Sequence, residues 1–351
     1  MKGFFSKFGF LINIGTVIML LLAYLAPYVP PDYFWPISFF GLAFPFLICI
    51  NIAFLLIWVL QRSKRLLLPL IILLLGYNHI KNTFQLFPKS GIKQSGIDVL
   101  SYNVHEFSSL RNTIKANDHG ILSYMKSTLS EIICIQEFNI GAIGKKGLQG
   151  LKDEFSGIKY DHQGSSGLVT LSKYPIINKG EIRFSGSSNL VIFSDIKISD
   201  QFTIRVYNCH LQSYSIDPED YNITDPSEFE TDKQEIAKAR KISFKLKSGF
   251  IRRASQARKL AGHIGKSPFP VIVCGDFNDT PVSFTYRMVR GELKDAFVES
   301  GWGVSNTYNG KLPSFRIDYI FTDKKFTPVN YIRDRVDFSD HYPIHCKVNF
   351  K

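Results

Sequence analysis

The sequence predicts a mixed α/β domain preceded by a module of apolar helices. Two long runs without charge lie near the N-terminus, at residues 8–26 and 36–60. From residue 97 onward, short β-branched or aromatic runs recur between Gly, Pro, Asn and Ser, a pattern typical of strands. Residues 232–264 place apolar side chains at helical spacing among Lys, Arg, Ala and Gln, which predicts one or two amphipathic helices.

Charge divides the chain at about residue 88. Residues 1–88 contain six Lys or Arg and a single acid, Asp32, against totals of 42 basic and 30 acidic residues in the whole chain. The remaining 263 residues therefore hold 36 basic and 29 acidic side chains, a net charge of +7. We predict a membrane module over 1–88, a linker over 89–96, and a soluble domain with one large core over 97–351.

The two uncharged runs are long enough to cross a bilayer. They contain 19 and 25 residues, and a transmembrane helix needs about 20 apolar residues. Residues 27–35 between them hold Pro, Tyr and Trp, which suits an interfacial loop with aromatic anchors. A third apolar run from residue 66 contains Pro69 and polar residues, and it reaches spanning length only when extended to Phe87. We predict three spans, at about 8–26, 36–60 and 66–87.

The third span decides which side of the membrane the soluble domain faces. Arg62, Lys64 and Arg65 form a basic loop that the positive-inside rule places in the cytoplasm, together with Lys2 and Lys7. Three spans put the soluble domain outside the cytoplasm, whereas two spans would put it inside. The first run is followed by a second apolar run and lacks an A-x-A cleavage site after it. Both observations argue against a cleaved signal peptide. We predict an integral protein of a bacterial inner or plasma membrane with an extracytoplasmic soluble domain.

Seven short runs predict the strands of the soluble domain. Each is rich in β-branched or aromatic residues, and polar motifs follow several of them. The runs are residues 97–102, 132–135, 167–171, 190–193, 202–207, 271–274 and 318–321. Ligand sites of sheet proteins commonly collect at strand ends, where side chains converge without interrupting the core.

The five cysteines do not define the redox compartment. Cys49 lies in a predicted span, and the other four lie within or at the end of β-like runs: Cys134, Cys209, Cys274 and Cys346. Their spacing has neither a metal-site nor a disulfide-framework pattern, and free cysteine packs well in cores. We expect four buried thiols, although an extracytoplasmic domain would permit disulfides.

Five polar motifs, one of them in two segments, carry the candidate chemistry. They set acidic, amide or imidazole side chains beside β-like runs: Ser101-Tyr102-Asn103, Ile135-Gln136-Glu137, Asn208-Cys209-His210, Gly275-Asp276-Phe277-Asn278 with Arg316-Ile317-Asp318, and Ser339-Asp340-His341. Oxygen ligands and two histidines, with no thiolate cluster, suit a hard divalent ion and a phosphate ester. The pattern predicts a metal-dependent phosphoester hydrolase.

Each motif also has a purely structural interpretation. Asn103 and Glu137 come directly after apolar strands. At such positions an Asn that forms a turn and a Glu that faces solvent are both common. Asp276 and Asn278 could bond their own backbone in a turn, and a lone histidine is often a core residue. However, side chains at i and i+2 of an extended segment point to one face, and Gly275 permits close approach of a ligand. Five separate strand ends would each need an independent structural reason, so a shared site explains the set better.

The order and wording of these motifs resemble the endonuclease/exonuclease/phosphatase superfamily, which includes abasic-site endonucleases, deoxyribonuclease I, inositol polyphosphate 5-phosphatases and neutral sphingomyelinases. The resemblance runs from about Ile97 to Val348, and its most specific parts are residues 275–278, 316–320 and 339–341. It implies a four-layer sandwich, in which two mixed β-sheets pack face to face with helices outside. It also implies a requirement for Mg²⁺ or Mn²⁺.

The resemblance implies a role for each polar position. Glu137 is implied to be the principal metal ligand, with Asn103 beside it and Asp340 near the metal or a second metal position. Asp276 is implied to orient or deprotonate the attacking water, and Asn278 to fix that water against the phosphorus.

Two histidines complete the implied site. His341, oriented by Asp318, and His210 are implied to hydrogen-bond the phosphate oxygens. This division also suits the chemistry, because an in-line attack needs a nucleophile on one side and charge neutralisation around the equatorial oxygens. A carboxylate that holds one imidazole nitrogen favours the charged, donating form of the ring.

The sequence defines the substrate less well than the site. The net charge of the soluble domain favours an anionic partner, and the basic residues of 245–259 could track a polyanion, lie over anionic headgroups or form a solvated face. The acidic segment 213–235 follows His210 and could narrow the site against a long polyanion. We expect a membrane-anchored phosphodiesterase with lipid headgroups and nucleic acid as rival substrates.

The alternative is a non-catalytic membrane-bound scaffold of the same fold that binds anionic ligands. The bilayer is the other expected partner, and no protein partner can be inferred.

Overall fold

The computed structural model describes residues 2–87, 96–107, 120–139, 141, 147–214, 232–310 and 313–350. Within it the chain divides into two compact units. The first comprises Met1–Phe84, Tyr214–Ser255 and Thr280–Met288, and the second Gln85–Ser213, Gln256–Asp279 and Val289–Lys351. Most of the predicted linker and most of the acidic segment 213–235 lie outside the described residues.

The first unit is built on apolar helices. Helices α1 (Lys2–Leu25) and α3 (Pro36–Leu60) each contain a stretch long and apolar enough to cross a membrane, and the short α2 (Pro31–Phe34) lies between them. Helices α4 (Leu67–Leu75) and α5 (Tyr77–Thr83) follow a 3₁₀ turn and are bent by 64° relative to each other. By length and composition, the described residues therefore hold two helices that could cross a membrane, or up to three candidate spans if the bent pair counts as one.

The first unit also contains two segments from the second half of the chain. They are the first part of α8 (Asp232–Ile264) and the residues around the start of α9 (Phe284–Arg290). The rings of Phe39 and Phe250 meet edge to face at 5.4 Å, and the Lys247 ammonium lies 5.2 Å from the ring of Trp35. These contacts attach α8 to the start of α3.

The second unit contains two six-stranded mixed sheets in its described residues. The first has the order β11-β12-β1-β2-β4-β3 and the second β5-β6-β7-β8-β10-β9. The strands are β1 (Gly96–Asn103), β2 (Ile132–Gln136), β3 (Tyr160–Gln163), β4 (Val169–Ser172), β5 (Ile176–Arg183), β6 (Leu190–Ser199), β7 (Phe202–His210), β8 (Val271–Asp276), β9 (Lys294–Asp295), β10 (Asp318–Thr322), β11 (Phe326–Arg333) and β12 (Ile344–Phe350).

The sheets pack face to face, which confirms the predicted sandwich. Apolar residues from both sheets, such as Val99, Cys134, Val206 and Ile272, form one buried cluster between them. A second cluster covers the other face of the first sheet, where Met125 of α6 (Gly120–Ser127) packs on the strands. Helices α7 (Gly147–Glu154) and α10 (Ala296–Ser300) complete the described elements. The four expected core cysteines are buried and free of disulfides.

All seven predicted strands are present, and five others were not predicted. The missed strands are β3, β5, β9, β11 and β12, of which the first four are the edge strands of the two sheets. An edge strand has a neighbour on one side only, so it carries more polar residues and a weaker pattern. The predicted helical stretch 232–264 forms the single helix α8.

Candidate active site

Four strand ends meet at one place in the second unit. Strands β1 and β2 pair in parallel, as do β7 and β8, so the residues at their carboxyl ends lie side by side. Those residues, at or directly after the strand ends, are Asn103, Glu137, His210 and Asp276. The two pairs belong to different sheets, and a hydrogen bond of 3.1 Å from Asn103 Nδ2 to Asp276 Oδ2 joins them.

Hydrogen bonds fix the buried carboxylate of Asp276. Its Oδ2 accepts from Asn103 Nδ2 at 3.1 Å and from Asn278 Nδ2 at 3.0 Å, and its Oδ1 accepts from the Asn278 backbone N–H at 2.8 Å. Gly275 before it has a φ of 134°, and a Cβ there would lie 2.1 Å from the Cys209 carbonyl oxygen. Glycine is therefore required for β8 to approach β7 this closely and carry Asp276 into the site.

Glu137 presents its carboxylate to three nitrogen atoms. Its Oε1 accepts from Asn103 Nδ2 at 3.0 Å and lies 3.4 Å from His210 Nε2, while Oε2 lies 3.5 Å from His105 Nδ1. The backbone of Glu137 has a φ of 54°, a strained value for a residue with a side chain. Burial favours a raised pKa, but His105, His210 and Asn103 together lower the pKa of Glu137 to about 2. The carboxylate is therefore charged at neutral pH.

His341 and Asp318 form a carboxylate–imidazole pair. Strand β10 runs antiparallel to β8 with Asp318 opposite Asp276. The Asp318 Oδ2 lies 2.9 Å from His341 Nδ1, and His341 Nε2 lies 3.8 Å from Asp276 Oδ2. Burial works to lower the pKa of His341, but the charges of Asp318 and Asp276 raise it to about 10. Burial raises the pKa of Asp276 to about 8, against the opposing charge of His341.

His210 provides a second imidazole with different electrostatics. Its Nε2 lies 3.9 Å from Asp276 Oδ2. Burial lowers the pKa of His210, and the charge of Glu137 only partly opposes this. At neutral pH the site therefore combines a charged imidazole at His341 with a neutral one at His210.

Sequence reasoning missed His105, which lies between two carboxylates of the site. Its Nδ1 is 3.5 Å from Glu137 Oε2 and 3.4 Å from Asp340 Oδ1. Three consecutive positive φ angles, at His105, Glu106 and Phe107, turn the chain back toward Glu137, and the Glu106 N–H donates to the Glu137 carbonyl at 3.0 Å. No sequence pattern predicts a left-handed turn built from such residues, so the position of His105 had no local signal.

Buried amides beneath the site connect the two sheets. Gln136 Nε2 donates to Asn208 Oδ1 at 2.7 Å, and Asn208 Nδ2 donates to the carbonyls of Ile135 and Val169 at 3.0 and 2.9 Å. Gln136 and Asn208 belong to the predicted motifs, although no role was assigned to them. Gln136 precedes Glu137 directly, and Asn208 lies two residues before His210. Their hydrogen bonds therefore hold both strand ends in place.

Two further residues support the Asp318 end of the site. Thr307 Oγ1 accepts from the backbone N–H groups of Ile317 and Asp318 at 3.0 and 3.1 Å. Arg316 forms an ion pair of 2.9 Å with Asp295, and both side chains are buried. Arg316 therefore contributes to the fold beside the site, while Asp318 two residues later contributes to the site itself.

The donor chemistry of the site fits a hard divalent cation. The carboxylates of Glu137 and Asp340 converge on the same nitrogen of His105 within 3.5 Å, and carboxylate and amide oxygens are the ligands that Mg²⁺ prefers. Two groups of three side chains offer ligand atoms within 4.8 Å of one another: Glu137, His210 and Asp276, and Asp276, Asp318 and His341.

The structure brings all the predicted site residues to this end of the core. They are Asn103, Glu137, His210, Asp276, Asn278, Asp318, Asp340 and His341. The roles assigned to them stay predictions. The amide of Asn278 donates to both Asp276 and the Leu211 carbonyl, so its two N–H bonds are used within the protein.

Comparisons with known proteins agree with this architecture. A family model described as "Endonuclease/Exonuclease/phosphatase family" matches residues 100–341, more than half of the chain. A second family model, described as a domain of unknown function, matches residues 5–83. No curated protein matches the chain significantly.

Several solved structures are similar to this chain at low identity. The human Nocturnin catalytic domain with bound sulfate anion has 17% identity and a TM-score of 0.51, with 73% of this chain and 94% of that chain covered. D. rerio TDP2 complexed with single strand DNA product has 17% identity and a TM-score of 0.50, covering 73% of this chain and 100% of that one. D. rerio TDP2 humanized by 14 mutations gives the same values. These similarities show a shared fold.

Proposed function

This chain belongs to the endonuclease/exonuclease/phosphatase family, and from that premise we propose that it is a membrane-anchored phosphoester hydrolase that depends on a divalent metal ion. Within that class we propose a phosphodiesterase that acts on lipid headgroups or on extracytoplasmic nucleic acid. The proposal includes a membrane module over 1–88, a linker over 89–96 and a catalytic domain over 97–351.

The convergence of two imidazoles, buried His341 and partly buried His210, on the buried carboxylate of Asp276 carries the proposal. Asp276 Oδ2 lies 3.8 Å from His341 Nε2 and 3.9 Å from His210 Nε2. A fold gains little from placing three titratable groups together with little exposure to water, because each loses hydration. Phosphoryl transfer to water does need them, since it requires a proton acceptor on one side and donors for the phosphate oxygens on the other.

Asp276 is the proposed base for the attacking water. Its raised pKa, about 8, makes it a stronger proton acceptor than an ordinary carboxylate. Donors from Asn103 and Asn278 fix its orientation. Under this proposal Asn278 also orients the water, through its carbonyl oxygen, because its N–H bonds are already used.

The two histidines are the proposed donors to the phosphate. His341 stays protonated because Asp318 holds its Nδ1, so Nε2 is a charged donor. His210 adds a neutral donor from the neighbouring strand end. Together they would stabilise the negative charge that develops on the equatorial oxygens.

Glu137, Asn103 and Asp340 are the residues that would hold the metal ion, with Mg²⁺ or Mn²⁺ as the proposed cofactor. When bound, such an ion neutralises charge on the phosphate oxygens. The low pKa of Glu137 keeps its carboxylate charged and ready for a cation at neutral pH. His105, which reaches both Glu137 and Asp340, would have to give way or take part when the ion binds.

Contacts within the first unit support three membrane crossings. Arg65 lies 5.0 Å from the ring of Phe10, near the start of α1, whereas His79 stacks on Tyr24 at 5.2 Å, near the end of α1. Residues 65–79 therefore lie alongside residues 10–24 of α1, and both segments advance by 14 residues. At the helical rise, 14 residues of α1 cover about 21 Å. The proposed orientation follows, with the basic loop in the cytoplasm and the catalytic domain outside it.

Contacts of the basic helix α8 argue against a continuous nucleic-acid track along it. Lys247 lies over Trp35, and Arg253 is buried against the rings of Tyr214 and Phe250 at 4.0 and 5.6 Å. Lys259 Nζ donates to a backbone carbonyl at 2.6 Å. These three basic residues of 245–259 therefore have partners within the protein.

The test is hydrolysis by the full-length protein in detergent and in vesicles, with Mg²⁺ or with EDTA. We would offer plasmid DNA, sphingomyelin vesicles, bis(p-nitrophenyl) phosphate and a phosphomonoester, and measure Mn²⁺ binding in parallel by electron paramagnetic resonance. We expect metal-dependent cleavage of diesters, and loss of both cleavage and Mn²⁺ binding in Glu137→Gln. Steep inhibition by salt would favour nucleic acid as substrate. A folded protein that binds Mn²⁺ but cleaves none of these would support the scaffold instead.

A further inference from the structure

The second unit exposes an apolar patch beside the point where the chain leaves the N-terminal helices. A backbone bridge joins the two segments that form it: the Gln85 N–H donates to the Gly303 carbonyl at 2.9 Å, and the Gly303 N–H donates to the Gln85 carbonyl at 2.6 Å. We call it the Trp302 patch, and its members and their exposed fractions are Leu86 (72%), Phe87 (84%), Trp302 (73%) and Val304 (42%).

The loop that carries Trp302 is firmly attached to the sheet beneath it. The Tyr331 backbone N–H donates to Ser300 Oγ at 3.2 Å, and the Tyr331 hydroxyl bonds Ser305 Oγ at 2.7 Å. These bonds hold both sides of the loop on β11. The backbone of Gly303 has a φ of 72°, a turn that other residues adopt only with strain. The exposed tryptophan is therefore held out by ordered backbone.

Chain connectivity limits the distance between the Trp302 patch and the end of α5. Helix α5 ends at Thr83, and Gln85 follows two residues later, so these positions are at most about 7 Å apart. The ring of His79 in α5 lies 5.2 Å from Tyr24 and 6.3 Å from Tyr28, which mark the end of the first span and the loop after it. The sequence of α5 is polar, Tyr-Asn-His-Ile-Lys-Asn-Thr, as suits a helix at an interface.

We propose that the Trp302 patch inserts into the headgroup region of the same bilayer that the N-terminal helices cross, which rests on the membrane anchoring proposed above. A solvated location would leave three large apolar side chains mostly in water, at a cost of roughly 25 cal/mol per Å² of apolar surface. Tryptophan has an apolar ring and a polar N–H, and this combination is enriched at membrane interfaces. Chain continuity brings the proposed bilayer close to this position.

The inserted patch would keep the catalytic site near the lipid surface. Six residues after Trp302, Tyr308 pairs through its backbone with His341, and its ring meets the His341 imidazole edge to face at 5.7 Å. Six residues span at most about 22 Å. Phosphoesters of lipid headgroups would therefore lie within a short distance of the site without leaving the membrane.

The test places an environment-sensitive NBD fluorophore on single cysteines of the full-length protein in vesicles. Trp302→Cys and Val304→Cys are made in a Cys49→Ser background, because the other four native cysteines are buried. The matched control is Leu129→Cys, since Leu129 is 72% exposed. It lies just before the start of β2, whereas the site lies at the carboxyl end of that strand. Native Cys49, exposed on α3, reports separately on membrane insertion of the helices. Quenching by headgroup-level nitroxide lipid is compared with quenching by aqueous iodide.

We expect the probes at 302 and 304 to show blue-shifted emission and lipid quenching, while the probe at 129 is quenched by iodide alone. Val304→Cys carries the test if loss of the Trp302 ring unfolds the loop. Lipid quenching at Cys49 but not at 302 or 304 would overturn the inference and leave the anchoring intact. Blue-shifted emission at 302 without lipid quenching would mean that a second protein copy covers the patch. Iodide quenching at Cys49 would reject the membrane anchoring itself.

Discussion

The two units of this molecule place the same residue types in opposite positions. In the helices of the first unit, Asn13 and Asn51 are fully buried, while large apolar residues such as Leu11, Leu56 and Leu60 are exposed. In the second unit, the central strands bury nearly all their apolar side chains between the two sheets. Large apolar side chains are costly to expose to water in such numbers, so the difference supports a bilayer around the helices of the first unit and water around most of the second.

The largest effect on stability should come from breaking a buried ion pair in the second unit. Arg205 Nε and one terminal nitrogen donate to the two oxygens of Asp195 at 2.6 and 2.8 Å, and both residues are buried. Arg205→Leu leaves the buried Asp195 charge without its ion-pair partner, with only the Asn178 side-chain amide still donating to it, and should destabilise the fold by about 3–5 kcal/mol. Thermal unfolding of the full-length protein in detergent measures this loss. The double variant Asp195→Leu with Arg205→Leu removes both charges and should recover most of it, and no recovery would reject the explanation.

A smaller effect should come from crowding the first unit. A Cβ on Gly41 would lie 2.4 Å from the Val282 carbonyl oxygen and 2.9 Å from the Ala26 Cβ, whereas a Cβ on Gly15 would meet nothing within 4 Å. Gly41→Ala should therefore destabilise the first unit by about 1–3 kcal/mol. Gly15→Ala, the matched control in another spanning helix, should be neutral or stabilising. Equal melting temperatures for the two variants would contradict the close approach of α3 to residue 282.

The pH dependence of hydrolysis should separate the two carboxylates beside His341. Activity needs Asp276 deprotonated and His341 protonated, so kcat/KM should rise through the Asp276 pKa of about 8 and fall through the His341 pKa of about 10. Asp318 raises the His341 pKa, so Asp318→Asn should move the alkaline limb to lower pH, by about one unit for each 1.4 kcal/mol of lost interaction. An alkaline limb that stays in place would remove Asp318 from the proposed mechanism.

The smallest effect should come from a polar pair in the first unit. Trp58 Nε1 donates to Asn13 Oδ1 at 3.0 Å between α3 and α1. Hydrogen bonds between helices in a bilayer contribute on average about 0.6 kcal/mol, because the separated helices also find partners. Asn13→Leu should therefore cost far less than Arg205→Leu in the same unfolding assay. A loss as large as that of Arg205→Leu would mean that the two units do not differ in environment as proposed.

The sequence predicts the centre of the fold better than its margins. Strands such as β1, β2, β7 and β8 are buried on both faces, so their apolar runs are continuous and easily recognised. The four edge strands were missed because one side faces solvent and polar residues interrupt the pattern, as in Tyr160–Gln163. The sequence also did not predict that residues 214–255 and 280–288 belong to the first unit. That grouping depends on contacts between segments distant in sequence, which no local pattern indicates.

The site shows the same division between local and long-range information. Asn103, Glu137, His210 and Asp276 follow recognisable central strands, so their convergence could be expected from strand order alone. His105 could not be found in this way, because its approach to Glu137 depends on three consecutive positive φ angles, at His105, Glu106 and Phe107.

The central claim is that Asp276 acts at the centre of a metal-dependent hydrolytic site. The most direct test compares kcat/KM for bis(p-nitrophenyl) phosphate, with Mg²⁺, between full-length wild type, Asp276→Asn and Asp200→Asn. Asp200 is the matched control, because it makes the same change at a side chain that is 95% exposed and ion-paired with Lys197 on the surface. We expect Asp276→Asn to lose at least roughly 10²-fold in rate, as removal of a general base does, and Asp200→Asn to retain wild-type activity. Wild-type turnover by Asp276→Asn would contradict the account.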